Sequence, residues 1–249
     1  MSAFEQAAKE LLNRRKAGSA APHLEESIRP TSIDDSLAIQ SEMAKLETVN
    51  GWKCLLPLVE GKVVVAPIFN VQKGSVVELF EDKQVARVEP EICFILGKDL
   101  PARDKGYSEA EVIDSISSAH MALELMQSRF ADNAGQTYYE DLADCMMNQG
   151  MFVGPEIDKA AAVSVKNISI IVTQNGEVRE LDGVHPNGRA IEGVIWLVNY
   201  MSKRGINLQA GAAIITGSFK GIVNMAFDSE ATVAYEGLGE YQVTFKRTA

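Results

Sequence analysis

At Gly51 the spacing of apolar residues changes, and that change limits the chain to a fold with helices first and strands after. Ahead of it, Phe4, Ala7, Ala8, Leu11 and Leu12 recur at helical spacing. So do Leu37, Ile39, Met43, Ala44 and Leu46, behind a helix start at Ser32-Ile33-Asp34-Asp35. Past Gly51, short β-branched or apolar runs cover residues 52–58, 62–68, 76–80 and 88–96, broken by Gly, Pro and Asn. Ser108 and Glu111 form a capping box before a short helix, and residues 119–126 read as the strand leaving it. Residues 131–150 are polar and read as a long irregular segment. Further strands fall at 163–173, 178–181, 212–216, 231–235 and 241–245, with Asn175-Gly176 as a hairpin turn. Residues 187–204 are the clearest long helix. The expected fold class is α+β and β-rich: a helical N-terminal region over residues 1–50 and a β-rich domain over 51–249, forming one structural unit.

With 249 residues, the chain can build a full core without disulfides or structural zinc. Its three cysteines, Cys54, Cys93 and Cys145, are odd in number and form no CxxC; they read as reduced thiols in a cytoplasmic protein. The net charge is −10, from 24 Lys and Arg against 34 Asp and Glu, which repels phosphate backbones and excludes nucleic acid as a partner. The longest apolar runs are too short to span a bilayer, so no membrane partner is expected. There is no GxSxG, Walker A, HExxH or GxGxxG motif, so serine-hydrolase, nucleotide and zinc-protease chemistries lose their usual support.

Chemistry concentrates in Arg87-Val88-Glu89-Pro90-Glu91-Ile92-Cys93-Phe94. On a strand, Glu89 and Glu91 share a face, and that face becomes apolar beyond them. Two carboxylates side by side at a buried mouth need a proton, a basic side chain or a metal; oxygen ligands suit a hard cation such as Mg²⁺ or Mn²⁺. A solvated strand end with two surface glutamates satisfies the same pattern. Glu124 is the lone acid in the apolar run 119–126, and either a metal or a base such as Arg129 would partner it. Lys53 lies inside another apolar strand, as an acid/base group or with its ammonium snorkelling to water. His185, before Pro186, is an acid/base group or a plain loop residue; His23 and His120 have no stronger context. Thr216-Gly217-Ser218 ends a strand, and its backbone N–H groups are placed to hold a carboxylate or simply to turn the chain.

Taken in order, these segments resemble a known family. A Gly-aromatic-Lys strand precedes Glu-x-Glu followed by Ile-x-Phe-Ile-Leu-Gly-Lys-Asp-Leu over residues 89–100. Next come Ala-Leu-Glu-Leu-x-x-Ser-Arg over 122–129, His-Pro, Trp-Leu-Val-Asn over 196–199, and Gly-Ile-Asn-Leu-x-Ala-Gly. Ile-Ile-Thr-Gly-Ser and a terminal Gly-Leu-Gly-x-x-x-Val-Thr-Phe complete the set. The chain resembles the 2-keto-4-pentenoate hydratase branch of the fumarylacetoacetate hydrolase superfamily, which also holds the 4-oxalocrotonate decarboxylases. The resemblance implies a mixed, rolled, barrel-like sheet and a homo-oligomer. It implies a Mg²⁺ or Mn²⁺ site on Glu89, Glu91 and Glu124, with Lys53 and His185 as catalytic groups. Gly217, Ser218, Gln127 and Arg129 fall at the substrate. The implied activity is that of a lyase, hydratase or decarboxylase, on a small unsaturated 2-oxo acid through a metal-stabilised enolate. A carbon–carbon hydrolase of acylpyruvate-like acids and a silent 2-oxo-acid binder are the alternatives. The pattern also departs from that branch. Gln127 stands where the hydratases carry Asp, residues 66–71 lack an acidic pair, and Gly183-Val184 replaces Leu-Gly before His-Pro.

Overall fold

Ser2 accepts the backbone N–H of Glu5 while the Glu5 carboxylate accepts that of Ser2, and this reciprocal cap starts α1 (Ala3–Ala17). Gly18, at φ +59°, ends it in the left-handed region. Ser32 caps α2 (Ile33–Leu46), its hydroxyl accepting the Asp35 N–H at 3.1 Å. The buried faces of α1 and α2 meet Phe130, Ala143 and Cys145 in a small core of their own, which reaches the main sheet at Ala66. The computed structural model describes residues 1–248.

The strands are β1 (Gly51–Leu55), β2 (Val64–Ile68), β3 (Val71–Gln72), β4 (Val76–Leu79), β5 (Ala86–Leu96), β6 (Ile116–Met126) and β7 (Asn148–Ile157). β8 (Asn167–Gln174), β9 (Glu177–Val184), β10 (Ala213–Ile215), β11 (Val223–Met225), β12 (Glu230–Tyr235) and β13 (Gly239–Arg247) follow. The main sheet runs β2-β1-β10-β5-β6-β7-β3, with β11 also on β5; the second runs β4-β13-β12-β8-β9. Pairing is mixed: β1–β10, β3–β7 and β4–β13 are parallel, the rest antiparallel. This is the β-rich α+β fold that the sequence pattern implied, with the curled sheet that the family resemblance implied. The Tyr235 hydroxyl bridges the two sheets, donating to Ala122 O at 2.8 Å.

Four helices complete the fold: α3 (Glu109–Ser115), α4 (Tyr138–Ala143), α5 (Lys159–Ser164) and α6 (Ala190–Lys203). α6 lies close against β10, since a Cβ on Gly193 would sit 2.5 Å from that of Thr216. Asn175 and Gly176 both take positive φ, as a two-residue hairpin turn requires.

Several boundaries differ from the sequence expectation. The long helix starts at Ala190, because Asn187 is spent capping the end of β1, its Oδ1 accepting Leu56 N at 3.0 Å. The strand expected from 163 starts at Asn167; the residues before it form α5, capped by Asp158. The segment 131–150 is not irregular throughout: Thr137 and Glu140 form a capping box for α4, and β7 starts at Asn148. No helix among the described residues is long and apolar enough to cross a membrane.

Candidate active site

β5 is buried on both faces, yet Glu89 and Glu91 stand on one of them, two residues apart. The β5–β6 register sets Glu124 directly opposite Glu89, and Ala122 opposite Glu91. One carboxylate oxygen from each of Glu89, Glu91 and Glu124 therefore lies within 4.8 Å of the other two. Cys93, Ala122, Met151 and Ile215 pack together as an apolar floor beside them. Lys53 reaches the cluster from β1, two strands away through β10.

The three carboxylates are not equally engaged. Glu91 Oε2 accepts the backbone N–H of Gly217 at 2.7 Å. Glu124 Oε1 accepts Lys53 Nζ at 2.6 Å and Asn148 Nδ2 at 2.9 Å. Glu124 Oε2 is buried and has no partner. Burial, then the Glu124 charge, pushes Glu89 up to about 7. The same two causes raise Glu91 well above the carboxylate range. Burial alone would lower Lys53, but Glu124, Glu89 and Glu91 outweigh it and hold the amine above its ordinary value. Two crowded carboxylates that resist ionisation, plus an orphaned buried oxygen, form the oxygen-only donor set that a hard divalent cation fits.

The cluster forms one wall of a cavity of about 220 Å³, also lined by Lys53, Leu55, Val64, Pro186, Gly217 and Ser218. Gly217 has φ +116°, and a Cβ there would meet Leu55 Cδ1 at 2.8 Å, so the turn needs glycine. Its N–H is spent on Glu91 and is not free for a substrate carboxylate. Ser218 Oγ donates to Pro90 O at 3.0 Å and accepts the Gly221 N–H at 2.9 Å. His185 lies just behind this turn: its ring is buried, Nδ1 accepts Asn187 N, and Nε2 is 3.4 Å from Thr216 Oγ1. Burial lowers the imidazole to about 4, so it is neutral at ordinary pH.

Gln127 and Arg129, expected at the substrate, are not part of the cavity wall. Gln127 Nε2 donates to Gly18 O at 2.8 Å, tying β6 to α1. Arg129 is fully buried and gives Nε to both carboxylate oxygens of Asp144, at 2.9 and 2.8 Å. All three cysteines are buried free thiols, and burial raises each of them. Asn148 and the Met146 carbonyl, which accepts Lys53 Nζ at 3.3 Å, had no sequence signal: one is an amide in a polar stretch, the other a backbone group.

No protein-family model matches the chain. It is 27% identical over 183 residues to a 4-oxalocrotonate decarboxylase of Pseudomonas putida, covering 73% of this chain and 67% of that protein. It is 24% identical to a 2-keto-4-pentenoate hydratase of Paraburkholderia xenovorans, covering 97% of this chain and 94% of the relative. In fold it is similar to a solved 4-oxalocrotonate decarboxylase from Pseudomonas putida G7, complexed with magnesium and adipate. The TM-score is 0.79 at 21% identity, with 97% of each chain covered. The aligned relatives and the shared fold agree with the motif order: the chain resembles the hydratase/decarboxylase branch of the fumarylacetoacetate hydrolase superfamily, a branch of lyases.

Proposed function

We propose that the chain is a divalent-cation-dependent lyase acting on a small unsaturated 2-oxo acid, with Glu89, Glu91 and Glu124 holding Mg²⁺ or an ion of similar hardness. The observation that carries this reading is the buried, unpartnered Glu124 Oε2 in a cluster with two carboxylates that resist ionisation. A similar solved decarboxylase is described with magnesium, which supports the choice of ion. When bound, the cation supplies Lewis acidity that stabilises the enolate of a 2-oxo acid. The rest falls to the chain. Gly217 N–H fixes the Glu91 carboxylate, and the apolar floor beside the glutamates keeps water from their inner side. Lys53 Nζ is the proton carrier, since it is the only basic side chain lining the cavity among the described residues. His185 stays neutral and shapes the turn before Pro186. Leu55, Val64 and Pro186 give the substrate tail an apolar wall.

With no acid at position 127 or in residues 66–71, the Lys53–Glu124 ammonium–carboxylate pair carries the acid/base work alone. Named relatives are hydratases and decarboxylases, and the hydrolase and silent-binder readings gain no support from them.

The test has two parts. Titration calorimetry should show Mg²⁺ binding to the wild type and a loss of at least about tenfold in Glu91→Gln; equal affinities would remove the metal site. Incubation with a panel of unsaturated 2-oxo acids should give Mg²⁺-dependent water addition or CO₂ release. Lys53→Met should lower that turnover by about 10²-fold or more. Binding of 2-oxo acids without turnover would favour the silent reading.

A further inference from the structure

Three consecutive non-glycine residues, Cys145, Met146 and Met147, take φ of +60°, +52° and +62°. L-residues enter the left-handed region singly and at a cost, so a run of three persists only where the surroundings dictate it. Here they do so by hydrogen bonding. Met146 N donates to Asp141 O at 2.7 Å, Cys145 N to Leu142 O at 3.1 Å, and Asn148 N to Cys145 O at 3.1 Å. Met147 O accepts Gln127 N at 2.9 Å and Arg129 Nη1 at 3.4 Å. Arg129 is itself locked on Asp144, just before the turn. From α1, Arg15 Nη1 donates to Asn148 O at 2.5 Å. Gln127 and Arg129, outside the cavity, thus hold a turn that reaches Lys53 and Glu124.

The turn delivers two groups to the candidate centre. Met146 O meets Lys53 Nζ, and the fully buried Asn148 side chain gives Nδ2 to Glu124 Oε1. Lys53 Nζ and Asn148 Nδ2 therefore converge on the same oxygen of the same carboxylate, and Oε2 is left bare. A carboxylate gripped on one oxygen by two donors cannot rotate, and its second oxygen points one way.

The geometry points to Asn148 as a positioning residue of the centre, held by the left-handed turn 145–147, which fixes the Glu124 carboxylate so that Oε2 alone faces a cation. This inference rests on the metal reading above and adds to it a residue outside the ligand set and the cavity wall. It also separates two roles that sequence alone would merge. Lys53 brings a charge to Glu124, whereas Asn148 brings direction without charge.

Mg²⁺ affinity by calorimetry tests it, on wild type, Asn148→Leu and Asn148→Ala, each checked for cooperative thermal unfolding. Leu has nearly the shape of Asn and no donor; Ala lacks both. A positioning role follows the donor, so both variants should bind Mg²⁺ about ten- to a hundredfold more weakly. Raising Mg²⁺ by the same factor should restore turnover in Asn148→Leu. A merely structural role follows volume: Asn148→Leu would then bind Mg²⁺ as wild type does while Asn148→Ala is impaired, and this overturns the inference. Wild-type affinity in both folded variants overturns it as well, and leaves the metal reading intact. Absence of Mg²⁺ binding in the wild type removes the metal reading, and this inference with it. If Asn148→Leu does not fold, Asn148→Val takes its place as the donor-free variant that keeps side-chain volume, with weakened Mg²⁺ binding upholding the inference and wild-type affinity overturning it.

Discussion

Among single residues, His185 shows how burial can fix a protonation state without a charged partner. Its imidazole sits against the edge of Phe219, with ring centroids 5.1 Å apart, and burial lowers it to about 4. The folded value lies below the ordinary 6.5, so folding favours the neutral ring. That contribution is fully present above pH 6.5 and is lost as pH falls through about 4. It amounts to about 3 kcal/mol at full extent, at 1.36 kcal/mol per unit. His185→Gln should therefore lose less stability than wild type between pH 7 and pH 4, seen as converging urea midpoints; parallel curves would contradict it. The carboxylates follow the opposite logic. Burial, then the Glu124 charge, pushes Glu89 and Glu91 up; Lys53 opposes the rise at both, with Arg87 helping at Glu89 and the Gly217 N–H at Glu91.

At the scale of elements, the turn 145–147 is where the chain departs most from its own preferences. Met146→Gly keeps the left-handed backbone without its steric cost. It is expected to raise the thermal midpoint, by up to about 1 kcal/mol of stability, with the entropy of a freer unfolded chain offsetting part of the gain. A lower midpoint would mean that the half-buried Met146 side chain matters more than its φ. The same element marks the limit of what the sequence discloses. Alternation along residues 88–96 placed Glu89 and Glu91 on one face, and the apolar run at 119–126 singled out Glu124. Both are consequences of a period of two, which sequence carries openly. The Asn-Gly hairpin and the Ser108–Glu111 cap were legible for the same local reason. Thr137 and Glu140 spell an equally plain cap, set in a polar segment whose apolar residues show no helical period. Asn148 was not legible, since its role depends on a cross-strand neighbour and on a backbone conformation that Cys, Met and Met do not announce.

Across the whole molecule, the helical layer and the sheet are joined by buried polar groups rather than by apolar contact alone. Arg14 donates to Pro22 O and Arg129 O, Glu140 accepts Leu24 N, and Gln40 donates to Val65 O and Leu142 O. Arg129 and Asp144 anchor this joint with side chains 0% and 1% exposed. Removing one partner of such a pair leaves an uncompensated buried charge. Arg129→Met should destabilise the fold by about 3–5 kcal/mol in urea denaturation, although it is outside the cavity wall. A loss below about 1 kcal/mol would show Asp144 reaching water instead. The excess of acids in the sequence also divides by place. Most can face solvent, while Glu89, Glu91 and Glu124 turn inward to one cavity.

Glu89 and Glu124 occupy opposite rungs of neighbouring strands, where like charges weaken a sheet. A cation shared by them would turn that weak rung into a clasp, closing the loop of chain that runs from one to the other through α3. Such a clasp does for this protein what a crosslink does for a secreted one. On the proposed reading, the supply of divalent ion would govern how long each molecule survives proteolysis as well as how fast it works, and the protein would persist best where that ion is abundant.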